Sequence, residues 1–257
     1  MSFLKKYLEG FYMALGMFTA IPLPFHLWKE KHTSIMITFF PLVGLIVGVV
    51  WWLVSNLLFA FGIPHMLAAV ILTVIPFFIA GFIHLDGYMD TSDALLSYRT
   101  LEDKLQILKD PNVGAFAVVM LVIVLFMQFG AVHGIAQSRQ YLFLMVGVMV
   151  ISRCCAALSI FFLPHNLGSN YAPLLAQGVA GGHKVFVVLI KITALALSFS
   201  YAGYLGIIVL GAVLIGYSLA MLKAIRGFKG ISGDLLGFAL IISECCGFIA
   251  LAVMQGR

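Results

Sequence analysis

Six stretches of the chain, residues 35–61, 63–83, 114–136, 141–163, 203–222 and 235–254, hold only two charged side chains between them, Arg153 and Glu244. A bilayer core about 30 Å thick takes about 20 apolar residues of helix to cross, and each stretch meets that length. The run 185–200 is shorter and carries Lys191, but it continues into 203–222 through Ser198, Ser200, Tyr201 and Gly203, so 185–222 reads as two helices joined by a tight turn. The expected fold is all-α: a polytopic integral membrane helical bundle with about seven transmembrane helices, in which residues 1–257 form a single membrane-embedded domain. Composition leaves no soluble alternative. The chain is 63% hydrophobic and 10% charged, with mean hydropathy +1.11, where a soluble domain is about half apolar and about a quarter charged.

Lys5 and Lys6 before the apolar stretch Phe11–Ile21 resemble the start of a signal peptide. Pro22 and Pro24 follow, however, and no small-x-small cleavage pattern is clear. An interfacial or re-entrant helix over residues 10–24 is expected, with a first transmembrane span as the alternative. The four cysteines fall as adjacent pairs, Cys154–Cys155 and Cys245–Cys246, without zinc or redox spacing; they read as small core residues. A net charge of +5 is no argument for nucleic acid, because the distribution of charge carries more information than the sum. Counting spans from the polar loop 84–113 puts Lys29, Lys31, Arg99, Lys104, Lys109, Lys184, Lys223, Arg226 and Lys229 on one side and leaves Arg139 and Arg257 on the other. The excess of positive charge marks the first side as cytoplasmic, and the loops 84–113 and 223–234 share it.

Six of the ten acidic residues lie between positions 86 and 110. Asp86, Asp90 and Asp93 are spaced i, i+4, i+7, which places them on one face if the segment is helical. Like charges so arranged repel unless a cation sits among them, and magnesium, a hard ion that takes a few carboxylates with substrate phosphate oxygens, is the natural candidate. The plainer reading is a solvated acidic face beside the membrane. In the rest of the loop, Leu101, Leu105 and Leu108 give a short amphipathic helix. It is either an interfacial helix with weak surface ion pairs or a support for Arg99, Lys104 and Lys109, which would balance phosphate charge. Asp110 follows in the same loop, and Gly114 opens the next span, where close backbone approach at a helix N-terminus favours an anion.

Arg153 sits near the middle of its span, too central to snorkel, and needs a polar cavity or a partner; Lys191 can reach the edge. In Lys229-Gly230-Ile-Ser232-Gly233-Asp234, paired glycines around Ser232 followed by Asp234 suit a helix cap or a phosphate-contacting turn. Glu244, ten residues into the same span, needs Arg153, a metal or a proton. His84 reads equally as a base, a ligand or a satisfied interfacial histidine. No P-loop, dinucleotide fingerprint, HExxH or GxSxG pattern is present.

The string His84-Leu-Asp86-Gly87-x-x-Asp90-Thr91-x-Asp93 resembles the signature of the cobalamin synthases, the adenosylcobinamide-GDP ribazoletransferases. The likeness continues through Phe18-Thr19-Ala-Ile-Pro22, Phe40-Pro41-Leu-Val-Gly44, Lys109-Asp110-x-x-Val-Gly114-Ala115-Phe116, Ser152-Arg153, and Gly230-Ile-Ser232-Gly233-Asp234 with Gly237 and Glu244. The family pattern usually has Gly at Phe82, Ala94 and Lys229, and Thr at Ser232. The resemblance implies a magnesium-dependent transferase in a bacterial or archaeal cell membrane. Its reaction joins adenosylcobinamide-GDP and α-ribazole, or α-ribazole 5′-phosphate, to give adenosylcobalamin or its phosphate, with release of GMP. On that reading Asp86, Asp90 and Asp93 hold Mg²⁺. Asp86, Asp90, His84 and Arg153 serve catalysis. Arg99, Lys104, Lys109, Asp110, Gly114, Ser232, Asp234 and Glu244 surround the phosphates. The partners are these two substrates and the lipid bilayer, with no nucleic acid; a homo-oligomer is left open. Two other readings stand beside it. A CDP-alcohol phosphotransferase would need Ala-Arg where Met89-Asp90 stands, and a cation transporter would place its charges near the midplane rather than at one edge.

Overall fold

The computed structural model describes residues 3–164 and 178–256, and its regular structure there is helical. The part of the loop at 165–177, and Arg257, lie outside the described residues. Among the described residues eleven α-helices follow in order: α1 Phe3–Phe18, α2 Thr33–Thr38, α3 Phe40–Ala60, α4 His65–Ile79, α5 Ile83–Leu96, α6 Leu101–Ile107, α7 Ala115–Ser138, α8 Leu144–Phe162, α9 Gly181–Ala202, α10 Tyr204–Phe228 and α11 Gly233–Gln255. Six of them, α3 and α7 to α11, are long and apolar enough to cross a bilayer, and α4 with α5 makes a seventh candidate bent by 93°. The expected count of about seven holds on that basis. The pair at 185–222 is α9 and α10, turned at Gly203, whose φ of +58° suits a residue without Cβ.

Two expectations change in detail. The stretch 35–61 opens in α2, which stops at Thr38, so the span itself, α3, begins only at Phe40. The stretch 63–83 does not form one helix: α4 stops at Ile79, and Gly81 and Phe82 both enter the left-handed region, with φ of +67° and +63°. The Phe82 N–H then donates back to the Phe77 carbonyl over 3.0 Å, closing the end of α4, while α5 starts in a new direction. The chain after α1 holds this corner, because the Ala20 N–H donates to the Ile79 carbonyl over 2.8 Å. The first segment is a 16-residue helix below spanning length. Glu9 on α1 pairs with Lys29 at 2.7 Å and His32 at 3.1 Å, tying the helix to the segment before α2. Lys29 holds the Glu9 carboxyl below its ordinary range.

Helix α8 is enclosed on nearly all sides, whereas α7 and α9 expose most of their apolar surface, as expected of lipid-facing helices around a central one. Small residues bring α3 against α8. A Cβ at Gly44 would press into the Met149 carbonyl and the Arg153 side chain, and one at Gly48 into the Val146 backbone. Glycines four residues apart are a recurrent means of close helix approach in membranes, where packing replaces the hydrophobic drive.

The two ends of the bundle are distinct. At one end the Ile231 N–H donates to the Pro164 carbonyl over 3.0 Å, and α5 lies across the start of α11. At the other, His65 Nδ1 meets the Ala136 carbonyl at 2.8 Å, and Gln255 reaches the Gln140 carbonyl. The loops carrying the acidic motif and the Ser232–Asp234 motif therefore meet at the same end.

Lys229 ends α10 with φ of +55°, at the position where helices favour glycine. Lys229→Gly should raise stability by about 1 kcal/mol by relieving the left-handed penalty, measured as thermal unfolding in detergent. Phe82→Gly should gain less despite its similar φ, because the Phe82 ring packs on Phe78 with centroids 5.1 Å apart.

Candidate active site

Helix α5 carries three aspartates because its turns repeat every 3.6 residues, so Asp86, Asp90 and Asp93 line one side. The opposite side is apolar: Leu85 and Tyr88 are buried, Tyr88 stacks on Phe238 of α11 at 5.8 Å, and its hydroxyl donates to the Met120 carbonyl of α7 over 3.2 Å. Two glycines allow α5 to cross α11 at backbone distance. A Cβ at Gly87 would come within 2.7 Å of Asp234 Cα, and one at Gly237 within 2.9 Å of the His84 carbonyl oxygen. This crossing brings Asp234 to the aspartate face. Asp90 lies within electrostatic range of Asp86, Asp93 and Asp234, and Asp234 within range of Asp86. Asp86 is exposed and Asp90 half-buried.

The three aspartates of the motif are not equivalent. The Asp93 carboxylate accepts from the Ala117 N–H over 3.3 Å and lies over Gly114, the N-cap of α7, where a Cβ would collide with it. The anion at the start of α7 is thus the protein's own, held by the free amides and dipole of the helix end. Nothing local in the sequence links residues 93 and 114; glycine at the mouth of a span was the one signal available. Ser232, rather than Asp234, caps α11, its hydroxyl accepting from the Leu235 N–H over 3.4 Å. The Asp234 carboxylate sits beside that cap, bonded to its own N–H and to Ser232, and still faces Asp86.

Among the described residues no three His, Cys, Asp or Glu side chains converge into a ready-made metal cage, and the ion pairs found there involve none of Asp86, Asp90, Asp93 or Asp234. Hard oxygen donors clustered without a basic partner fit Mg²⁺. That ion is bound by one or two carboxylates, with waters and substrate phosphates completing its shell, rather than by an all-protein cage.

Helix α6 packs on α5 and α10 beside this face. Thr100 caps it, accepting from the Asp103 N–H over 3.3 Å and donating to the Asp103 carboxylate over 2.9 Å. Arg99 and Lys109 are exposed and Lys104 is partly so, and none enters an ion pair among the described residues. Asp110 accepts from the backbone and side-chain nitrogens of Asn112 at 2.9 and 2.7 Å, which shapes the turn at Pro111 and holds its carboxyl below the usual range.

His84 and Arg153 sit elsewhere. The His84 ring points into the bundle from the other side of α5, near the rings of Phe18 and Phe40 at 6.3 and 5.6 Å. Arg153 is 1% exposed and pairs with Glu244, 2% exposed, which also accepts from the Ser152 hydroxyl over 3.0 Å. Burial of the pair answers the question the sequence raised about Glu244: its partner is Arg153. His84 Nε2 and Arg153 Nε lack hydrogen-bond partners and line one small cavity with Glu244 and Leu240. The structure brings His84, Arg153 and Glu244 together behind the aspartate face, not on it.

A multi-pass helical membrane protein with an acidic face at one end of its bundle is the class these features define. The family model for cobalamin-5-phosphate synthase matches residues 10–252, and the chain belongs to that family. An adenosylcobinamide-GDP ribazoletransferase of Clostridium botulinum (strain Alaska E43 / Type E3) is 37% identical over 247 residues, covering 96% of this chain and 98% of the relative. One from Clostridium perfringens (strain SM101 / Type A) is 32% identical over 253 residues, covering 98% of this chain and all of the relative. One from Lachnoclostridium phytofermentans is 30% identical over 260 residues, covering 98% and 96%. No solved structure matches the chain. The protein is an enzyme of the transferase class.

Proposed function

We propose that the chain joins adenosylcobinamide-GDP to α-ribazole, or to its 5′-phosphate, with release of GMP, at an acidic site facing the cytoplasm. The observation that carries the reading is the likeness, over nearly the whole chain, to relatives named adenosylcobinamide-GDP ribazoletransferase, coupled to a carboxylate face with basic residues outside any ion pair on the neighbouring segment. Asp86, Asp90 and Asp234 are the residues to hold Mg²⁺, which when bound supplies positive charge for the diphosphate oxygens. Asp93, engaged with α7, fixes α5 against the start of that helix and so sets where Asp90 points.

The ribazole 3′-hydroxyl attacks the phosphorus bonded to cobinamide. A new P–O bond forms as the P–O bond to GMP breaks, and GMP leaves with the bonding pair. Asp86 or Asp90 takes the hydroxyl proton, since both share the solvent-facing side of α5 and His84 does not. Arg99, Lys104 and Lys109 offset the growing charge on the leaving nucleotide, an electrostatic task that suits phosphoryl transfer and needs no protein nucleophile. Arg153 and Glu244 act from behind, as a fixed support for α5 and α11.

The test is a turnover assay of the purified protein with adenosylcobinamide-GDP and α-ribazole. GMP and the nucleotide-bearing corrinoid should appear in equal amounts, activity should vanish with chelator, and added Mg²⁺ should restore it. Turnover indifferent to chelation would remove the metal from the scheme. Absence of GMP would remove the reaction itself.

A further inference from the structure

Helices α7 and α10 both pack on α11, and between them the bundle wall contains a slot of about 300 Å³, within the range of small-molecule sites. Helix α11 forms its back through Ile242 and Cys246, and the C-terminal half of α5 forms its roof through Ser92 and Leu96. Lys223 stands at the lip and Gly216 near the bottom. The surrounding surface is lipid-facing, with Val119, Ile123 and Leu219 exposed.

Two features say what fills it. Lys223 and Gly216 are seven positions apart on one helix, about 10 Å, so the slot runs down through about two-thirds of the apolar thickness of one leaflet. Lys223 is five residues short of the end of α10, and Arg226 follows one turn on, which puts two cations at head-group depth. An apolar channel with Lys223 at its lip and Arg226 one turn beyond matches an acyl chain below and a phosphate above.

We propose that this slot binds one anionic phospholipid of the surrounding bilayer, with an acyl chain between α7 and α10 and its phosphate on Lys223. The roof residues Ser92 and Leu96 share turns with Asp90 and Asp93, so a filled slot braces the acidic helix from beneath. The binding claim does not depend on the proposed reaction.

The experiment is native mass spectrometry of delipidated protein in mild detergent, titrated with phosphatidylglycerol and with phosphatidylcholine of the same chains. The parent chain should take up one phosphatidylglycerol about fivefold more tightly than phosphatidylcholine, the preference expected of one lysine at the membrane surface. Lys223→Glu, an exposed change that leaves the core intact, should abolish the preference. Ala220→Trp, which fills the slot, should remove the adduct for both lipids. A preference that survives Lys223→Glu would overturn the proposal, as would equal adducts in a folded Ala220→Trp protein. Displacement of the lipid by a second copy of the chain would overturn it too.

Discussion

Asp86→Asn and Asp90→Asn should each slow GMP release by at least about a hundredfold, the usual loss when a charge-stabilising group is taken from a transferring centre, while both proteins remain folded and inserted. Asparagine preserves size and hydrogen bonding, so the loss isolates the negative charge. Half-saturation by Mg²⁺ should move to higher concentration in both. Asp93 is expected to behave differently. Its carboxylate accepts from the Ala117 N–H, and an asparagine carbonyl can still do so, so Asp93→Asn should keep more activity than Asp93→Ala, which leaves the start of α7 uncapped at a cost of about 1 kcal/mol. Gly114→Ala should mimic Asp93→Ala, because the added methyl displaces the same carboxylate. Equal and complete loss in Asp93→Asn and Asp86→Asn would restore all three aspartates to a single metal-binding role. Parent-like rates in Asp86→Asn and Asp90→Asn would end the proposed mechanism.

Much of this architecture could be read from the chain because membrane solvent imposes a simple rule: uncharged runs of about 20 residues become helices. The rule located α3, α7, α8, α10 and α11 to within about six residues at either end. It failed at 63–83, where hydropathy continues smoothly while the backbone breaks at Gly81 and Phe82; a left-handed phenylalanine leaves no mark in composition. Periodicity placed Asp86, Asp90 and Asp93 on one face, since that needs only helical repeat. What it could not assign was their separate use, because the partner of Asp93 lies on another helix and Asp234 arrives only through the Gly87–Gly237 crossing. Gly44 and Gly48 stand at helix spacing in the sequence and Gly87 and Gly237 do not, and for all four only tertiary contact reveals what each one admits. The same limit applies to His84. Its proximity in sequence to Asp86 suggested shared chemistry, yet two residues along a helix turn a side chain by about 200°, enough to face it toward Phe18 and Phe40 instead.

Arg153→Met should be the most destabilising single change in the protein. It would leave the Glu244 carboxylate, 2% exposed and otherwise held by the Ser152 hydroxyl, without a countercharge in an apolar bundle. Removing one partner of a buried ion pair costs about 3–5 kcal/mol, far more than a surface pair is worth. Glu244→Leu should be comparably harmful, stranding a guanidinium that also donates to the Met149 carbonyl over 3.1 Å. The double change Arg153→Met with Glu244→Leu removes both charges and should recover most of that loss, since well-packed apolar residues can replace a buried pair at little net cost. Chemical denaturation in mild detergent, monitored by the fluorescence of the buried Trp51 beside Phe248 of α11, gives the three values. Turnover of the double variant then separates two roles. If the pair only stabilises, activity returns with stability. If it sets the angle at which α5 crosses α11, the double variant stays slow although folded, with kcat reduced and KM for α-ribazole unchanged. We expect the second result, because Gly44 leaves room for Arg153, Gly237 carries the backbone of His84, and the cavity shared by Arg153, Glu244 and His84 lies directly behind the first turn of the aspartate helix.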